Sequence, residues 1–357
     1  MKNVLITGGA GFIGSNFIHY IFQSTSFGGK IINVDKLTYA GNLENLQEIE
    51  NGYGGKRYFF EKADICDFNK IKRIFKEYNI DTVVNFAAES HVDRSICGPK
   101  EFMQTNIMGT FNLLEVVREC GKEKKREDRE VLFHHVSTDE VYGSIEEGGY
   151  FCEDTAYQPN SPYSASKASS DHLVRAYYKT YGLPITVSNC SNNYGPYQFP
   201  EKLIPLMILN ILEEKALPVY GDGKNIRDWL YVEDHCQAIW EILNKGKVGE
   251  TYNIGGENEW ENIKLVNFLC EKIAKIKGKN KDYYKRLITF VKDRPGHDRR
   301  YAINCEKIKK QLGWKRGYDF EEGLDLTIKW YIDNQRWVDR VRSGEYRKWL
   351  EKNYEMR

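Results

Sequence analysis

VLITGGAGFIG, residues 4–14, sets a short apolar run against a Gly-rich turn that opens into a helical pattern. The turn fits two registers, Gly9-x-Gly11-x-x-Gly14 and Gly8-x-x-Gly11-x-x-Gly14. Either one builds a phosphate cradle: a tight turn, close backbone approach to a pyrophosphate, and unpaired N–H groups at a helix N-terminus. A Gly-rich string alone is a weak signal. Asp35 strengthens it, because it ends the next apolar run, IINVD (31–35), about 20 residues past the last Gly, where a carboxylate meets ribose hydroxyls and repels a 2′-phosphate. The pairing predicts NAD rather than NADP. Lys36 beside it reads as an exposed or ribose-side neighbour, and Asp64-Ile65 stands where an adenine would lie.

Outward from this turn the pattern repeats. RYFFEKADI (57–65), TVVNFA (82–87), VLFHHVS (131–137) and ITVSNC (185–190) read as further strands, separated by helical patterns near 13–24, 67–78, 100–120 and 162–182. Strand-helix alternation of this kind predicts an α/β fold with a doubly wound parallel sheet. After residue 190 Pro and Gly break the alternation, which suits a smaller C-terminal α/β substrate lobe. The expected organisation is a dinucleotide-binding domain over 1–190, with parts of 230–260 returning to it, and a substrate lobe over 191–334. A charged aromatic tail follows over 335–357, with Trp337, Tyr346, Trp349 and Tyr354 on one face of a surface helix packed on the body. The charge run KEKKREDRE (122–130) reads as a solvated loop.

Composition narrows the function. Lys+Arg number 52 and Asp+Glu 51, a formal net charge of +1, and the signs are mixed, so nucleic acid is not the expected partner. No stretch reaches transmembrane length, no signal-peptide pattern opens the chain, and eight Cys without C-x-x-C spacing read as free thiols in a reducing cytoplasm. No metal site is expected, since the seven His form no H-x-x-x-H pair.

Tyr163-Ser-Ala-Ser-Lys167 places a phenol and an ammonium one turn apart on a helix that Ser161 or Pro162 would begin. A lysine there is expected to lower the Tyr pKa and to hold a nicotinamide ribose, making Tyr163 a base for a sugar hydroxyl that loses hydride. STDEVYG (137–143) ends the fifth strand at the carboxyl edge of the sheet, where open α/β folds bind ligands. Thr138 offers a hydroxyl, and Asp139 with Glu140 offers two carboxyls whose pKa values a cleft can drive apart into an acid and a base. Dehydration of a keto sugar needs such a pair.

Seven segments, TGGAGFIGSN, NVDKLTYAGN, NFAAESHVDRS, STDEVYG, YSASKASSD, SNNYGPYQFPEKLIP and RDWLYVEDH, occur in this order. Together they resemble the dTDP-glucose 4,6-dehydratase family, extended short-chain dehydrogenase/reductases. The resemblance implies NAD-dependent dehydration of dTDP-glucose to dTDP-4-keto-6-deoxyglucose, a hydro-lyase step in deoxysugar synthesis. It implies Tyr163 and Lys167 for the redox step, Asp139 as acid, Glu140 as base, and Thr138 against the C4 hydroxyl. Cofactor contacts implied beyond Gly8, Gly11 and Gly14 are Phe12, Ile13, Asp35, Lys36, Thr38, Asp64, Ile65, Ala87, Ala88, Glu89, Ser90, Thr105 and Asn193. Substrate contacts implied are Ser90, His91, Asn192, Lys202, Leu203, Pro218, Val219, Tyr220, Arg227, Asn262, Asp293, Arg294 and His297. Arg227, Arg294 and Lys202 can neutralise a diphosphate and Tyr220 can stack on a pyrimidine.

Rival readings keep the fold: a nucleotide-sugar 4-epimerase or decarboxylase, a dehydratase of UDP-glucose, or a non-catalytic NAD-binding sensor. The apolar faces of 100–120 and 162–182 suit a four-helix homodimer interface, or burial within one chain.

Overall fold

The computed structural model describes residues 1–125, 130–145 and 148–343. Most of the charge run 122–130 and the aromatics Tyr346, Trp349 and Tyr354 lie outside the described residues. Seven parallel strands form the main sheet: β1 (Asn3–Thr7), β2 (Lys30–Asp35), β3 (Tyr58–Lys62), β4 (Thr82–Asn85), β5 (Leu132–Thr138), β6 (Ile185–Cys190) and, added later in the chain, Thr251–Ile254. Three more strands precede that last one in sequence, β7 (Asn192–Tyr194), β8 (Leu217–Tyr220) and β9 (Ile226–Tyr231), so it is β10; β11 (Glu259–Glu261) and β12 (Ile288–Val291) follow.

The sheet runs β10-β6-β5-β4-β1-β2-β3. Its order reverses between β1 and β4, and the carboxyl ends of those strands are where a doubly wound sheet leaves a crevice. The central strands are buried on both faces because both are covered. Val4 and Ile6 of β1 enter the core beneath the helices Phe12–Ser24 and Val232–Lys245, while Leu5 enters the opposite core with residues of Phe68–Glu77, Thr110–Lys125 and Pro162–Tyr181.

The expected third strand ends early, at Lys62, and Ala63–Ile65 form the loop that follows. The helical pattern over 100–120 resolves into Pro99–Phe102, a π-helical stretch Met103–Gly109, and Thr110–Lys125. Within the wide turn Asn106 is drawn out of line: its side chain accepts from the Glu89 N–H at 2.9 Å and donates to the Glu89 carbonyl at 3.0 Å and Ser166 Oγ at 2.8 Å. A π turn beside a ligand cleft is a recurring device.

The irregular stretch after residue 190 builds a second core. β7, β9 and β11 form one small sheet and β8 with β12 another; the helices Leu203–Leu212, Asn262–Ile276 and Phe320–Asp333 pack against them. The described part of the tail, helix Gln335–Arg342, buries Trp337, whose indole N–H donates to Asn45 Oδ1 at 2.8 Å. Among the described residues no helix is long and apolar enough to cross a membrane, and no cluster of three His, Cys, Asp or Glu could hold a metal.

Candidate active site

The phosphate cradle forms at the end of β1. Gly8 adopts φ +69°, and a Cβ there would lie 2.8 Å from the Ala87 backbone; at Gly14 it would lie 2.4 Å from the Gly8 carbonyl oxygen. Only glycine fits both places. The following helix has Gly11 as its N-cap, no side chain capping it and no acid in its first turn, so its amides are left for an anion.

Asp35 ends β2 with its carboxylate held by the N–H groups of Ala10 at 3.0 Å and Leu37 at 2.7 Å. Burial nonetheless raises its pKa. Lys36, half-exposed, pairs with Asp64 at 2.7 Å. All eighteen residues predicted to meet the cofactor line one cleft over the carboxyl ends of the strands, from the Gly-rich turn to Tyr163, Lys167 and Asn193.

A second cleft lies against β8 and β9. It collects Ser90, His91, Asn192, Lys202, Leu203, Pro218, Val219, Tyr220, Arg227, Asn262, Arg294 and His297. Of the other predicted substrate residues, Thr138 lines the first cleft and Asp293 neither. Asp293 Oδ1 receives the Arg294 N–H at 2.8 Å and His297 Nδ1 at 2.6 Å, bracing the turn. Glu140, Ser90, Asn192, Asn193 and Lys202 line both clefts, so the two open into each other.

At that junction the helix Pro162–Tyr181 presents Tyr163 and Lys167. A reciprocal Ser161/Ser164 capping box and Pro162 in the first turn start it, and Gly182, left-handed at φ 67°, ends it. Lys167, buried, donates to the Val136 carbonyl at 2.8 Å and lies 3.5 Å from His135 Nε2. Burial lowers its pKa, and the charge of Asp171 opposes that shift.

The expected lowering of the Tyr163 pKa is not found. Burial pushes the phenol well above its ordinary value, and the charge of Glu140 pushes the same way. The ammonium expected to counter this is turned toward the β5 backbone instead.

Thr138 ends β5 and caps the short 3₁₀ turn Asp139–Tyr142, accepting from the Glu140 N–H at 3.3 Å. The turn aims the two carboxyls differently. Asp139 is buried, with Oδ2 lacking a hydrogen bond among the described residues; burial first, then Glu140 and Asp228, drive its pKa well above the carboxylate range. Glu140 is also raised by burial, but Arg294, Arg227 and Lys202 all oppose the rise. Both carboxyls are shifted upward, Asp139 without the opposing cations that Glu140 faces, and a difference of that kind is what acid-base division of labour requires.

Residues 5–327 match the model of the family described as GDP-mannose 4,6 dehydratase. The dTDP-glucose 4,6-dehydratase 1 of Escherichia coli (strain K12) is 56% identical over 367 aligned residues, covering 99% of both chains. The chain belongs to the dTDP-glucose 4,6-dehydratase family. A member from Neisseria meningitidis is likewise 56% identical, over 97% of this chain and 98% of its own. Among solved members, the Bacillus anthracis enzyme in complex with NAD superposes with a TM-score of 0.83 at 49% identity, covering 96% of this chain and 100% of that one. The Streptomyces venezuelae enzyme, also solved with NAD, gives 0.87 at 42%, covering 95% and 100%.

Several residues in or behind the clefts escaped the sequence reading. Tyr39, Phe199 and Glu201 close the cofactor side, with the Tyr39 hydroxyl donating to Glu201 Oε1 at 2.8 Å and Arg94 stacked 3.6 Å over the Tyr39 ring. Tyr301 lies under Arg227 and donates to Asp298 at 2.6 Å. The NVDKLTYAGN and SNNYGPYQFPEKLIP segments held Tyr39 and Glu201 in view, but nothing in the sequence says that they meet.

Proposed function

We propose that this chain dehydrates dTDP-glucose to dTDP-4-keto-6-deoxyglucose with a resident NAD⁺, as its relatives' names indicate for them. The observation that carries the reading is the contrast at the junction of the two clefts: adjacent carboxyls, Asp139 driven toward its protonated form and Glu140 faced by three cations. An epimerase has no use for that pair. The glycine cradle, the uncapped helix end and Asp35 fit the cofactor. NAD⁺ supplies the hydride chemistry, accepting hydride from C4 and returning it to C6.

The protein's own groups do the rest. Tyr163 takes the C4 hydroxyl proton, a role that the positive charge of bound NAD⁺ would support by lowering the phenol pKa that burial raises, with Thr138 against that hydroxyl and Lys167 holding the nicotinamide ribose. Glu140 removes the C5 proton, acidified by the new keto group, and Asp139 protonates the C6 hydroxyl as it leaves. Arg227, Arg294 and Lys202 meet the diphosphate, and Tyr220 the base. In this assignment 1–190 with parts of 230–260 form the cofactor domain and 191–334 the substrate lobe, and the described start of the tail, Gln335–Arg342, packs on the body.

The large apolar side chains of Met108 and Tyr181, exposed by 44% and 55% on the segments 100–120 and 162–182, favour a homodimer joined through them. Light scattering tests that. Eight free cysteines favour the cytoplasm.

Parallel incubation with dTDP-glucose and UDP-glucose, read by mass spectrometry, tests the activity and its nucleotide. In heavy water the product is expected to carry solvent deuterium at C5 and the former C4 hydrogen at C6. A product with neither label refutes the mechanism.

A further inference from the structure

The short helix Val92–Cys97 carries Asp93 to the wall of the cleft assigned above to the nucleotide. The carboxylate is buried and used on both sides. Oδ2 accepts the Tyr220 hydroxyl at 2.7 Å, and Oδ1 accepts Arg294 Nη1 at 3.2 Å. These partners come from β8 and from the turn after β12, elements far apart in sequence.

An anion here needs an explanation, because the cleft is read as taking a diphosphate and like charges repel. Its cations offer one. Lys202 is held by the Ser90 carbonyl, and Arg227 by the carbonyls of Ile226 and Asp298. Among the described residues Arg294 alone of the three pairs with a carboxylate within 4.0 Å, and that carboxylate is Asp93. The other oxygen of that carboxylate holds the Tyr220 hydroxyl, and the Tyr220 ring meets His297 edge-on at 6.0 Å and 84°.

We propose that Asp93 is a positioning residue for nucleotide recognition, clamping the Tyr220 ring and the Arg294 guanidinium so that base and diphosphate are met by one preformed surface. The proposal rests on the reading of this cleft as a nucleoside-diphosphate-sugar site. Holding both groups in advance removes the ordering cost that substrate would otherwise bear. The clamp works through its partners and touches no reacting atom.

The sign of one measurement separates this role from a mere nearby charge. If Asp93 only repelled the diphosphate, Asp93→Asn would lower the KM for dTDP-glucose. The clamp predicts the reverse: KM rises about ten-fold or more, as loss of charged hydrogen bonds implies, with kcat within about two-fold. Inhibition by dTDP weakens in parallel. An unchanged or lower KM, or a loss confined to kcat, overturns the proposal.

Tyr220→Phe removes only the hydroxyl that Asp93 accepts. It is expected to raise KM as well, and to add nothing when combined with Asp93→Asn. Additive losses overturn the clamp, and if Asp93→Asn fails to fold, a wild-type KM in Tyr220→Phe does so alone. Calorimetric titration with dTDP reads the clamp even if dTDP-glucose is not turned over; that result would instead strike the proposed activity.

Discussion

Glu140 lines both clefts while Asp139, its neighbour in sequence, lines neither. One peptide unit thus divides a carboxyl that lines the clefts, facing Arg294, Arg227 and Lys202, from a buried one whose only hydrogen-bond partner among the described residues is the Thr138 hydroxyl.

Glu140→Gln preserves shape and removes the base. Product release is expected to fall by roughly 100-fold or more, the usual weight of a proton-transfer group, while bound NAD⁺ is still reduced. Rapid-mixing absorbance of the reduced nicotinamide, alongside mass spectrometry of the sugar, checks both halves. Normal product formation removes Glu140 from the mechanism.

Asp139→Asn is expected to stabilise the fold at neutral pH. A carboxyl whose folded pKa is raised contributes stability below its unfolded value, and loses it as pH rises through the folded value. Each unit of upward displacement costs the wild type about 1.4 kcal/mol once the group ionises. Melting curves should therefore separate in the variant's favour near pH 7 to 8, and converge below about pH 4, the ordinary carboxyl range. Parallel curves at all pH values would deny the shift.

Asp171→Asn bears on Lys167. The groups facing this buried ammonium are Asp171 one turn along its helix, His135 on β5 and Cys190 on β6. His135 bridges the two, its Nε2 lying 3.3 Å from Asp171 Oδ1. Burial lowers the lysine pKa and Asp171 resists, so removing the carboxylate lowers it further. The alkaline limb of kcat/KM should move to lower pH, and Asp171→Glu should restore it. A uniform loss at every pH would count against this charge coupling.

Gly14→Ala places a methyl 2.4 Å from the Gly8 carbonyl oxygen, a contact that backbone must relieve. Overpacking of this kind costs about 1–3 kcal/mol, and here it narrows the cradle itself. Purified variant is expected to retain less NAD⁺ than wild type, as read by absorbance after denaturation, out of proportion to its drop in melting temperature.

Much of the main sheet was legible because parallel strands buried on both faces write themselves as apolar runs, and six did. The seventh, Thr251–Ile254, was not picked out as a strand, since it lies in a Gly-rich stretch far along the chain from the others. Glycines and the Tyr163/Lys167 spacing placed the cofactor cleft, because those demands are local. The direction of the Tyr163 shift was missed, because burial and the Glu140 charge arise only when β5 and the helix after Ser161 come together. Asp93, Glu201 and Tyr301 were invisible for the same reason: each acquires its partners from segments far along the chain.

β10 and the helix Val232–Lys245, which cover one end of the main sheet, are separated from β6 by the beginnings of the second core. A ribosome must therefore deliver residue 254 before the main sheet can be completed, and Trp314 before the core beneath it is, and by then β7, β8 and β9 have already emerged. The nascent chain has to keep an exposed β6 edge waiting while a second body starts to form beside it. Fragments cut near residue 190 would inherit that unfinished edge permanently.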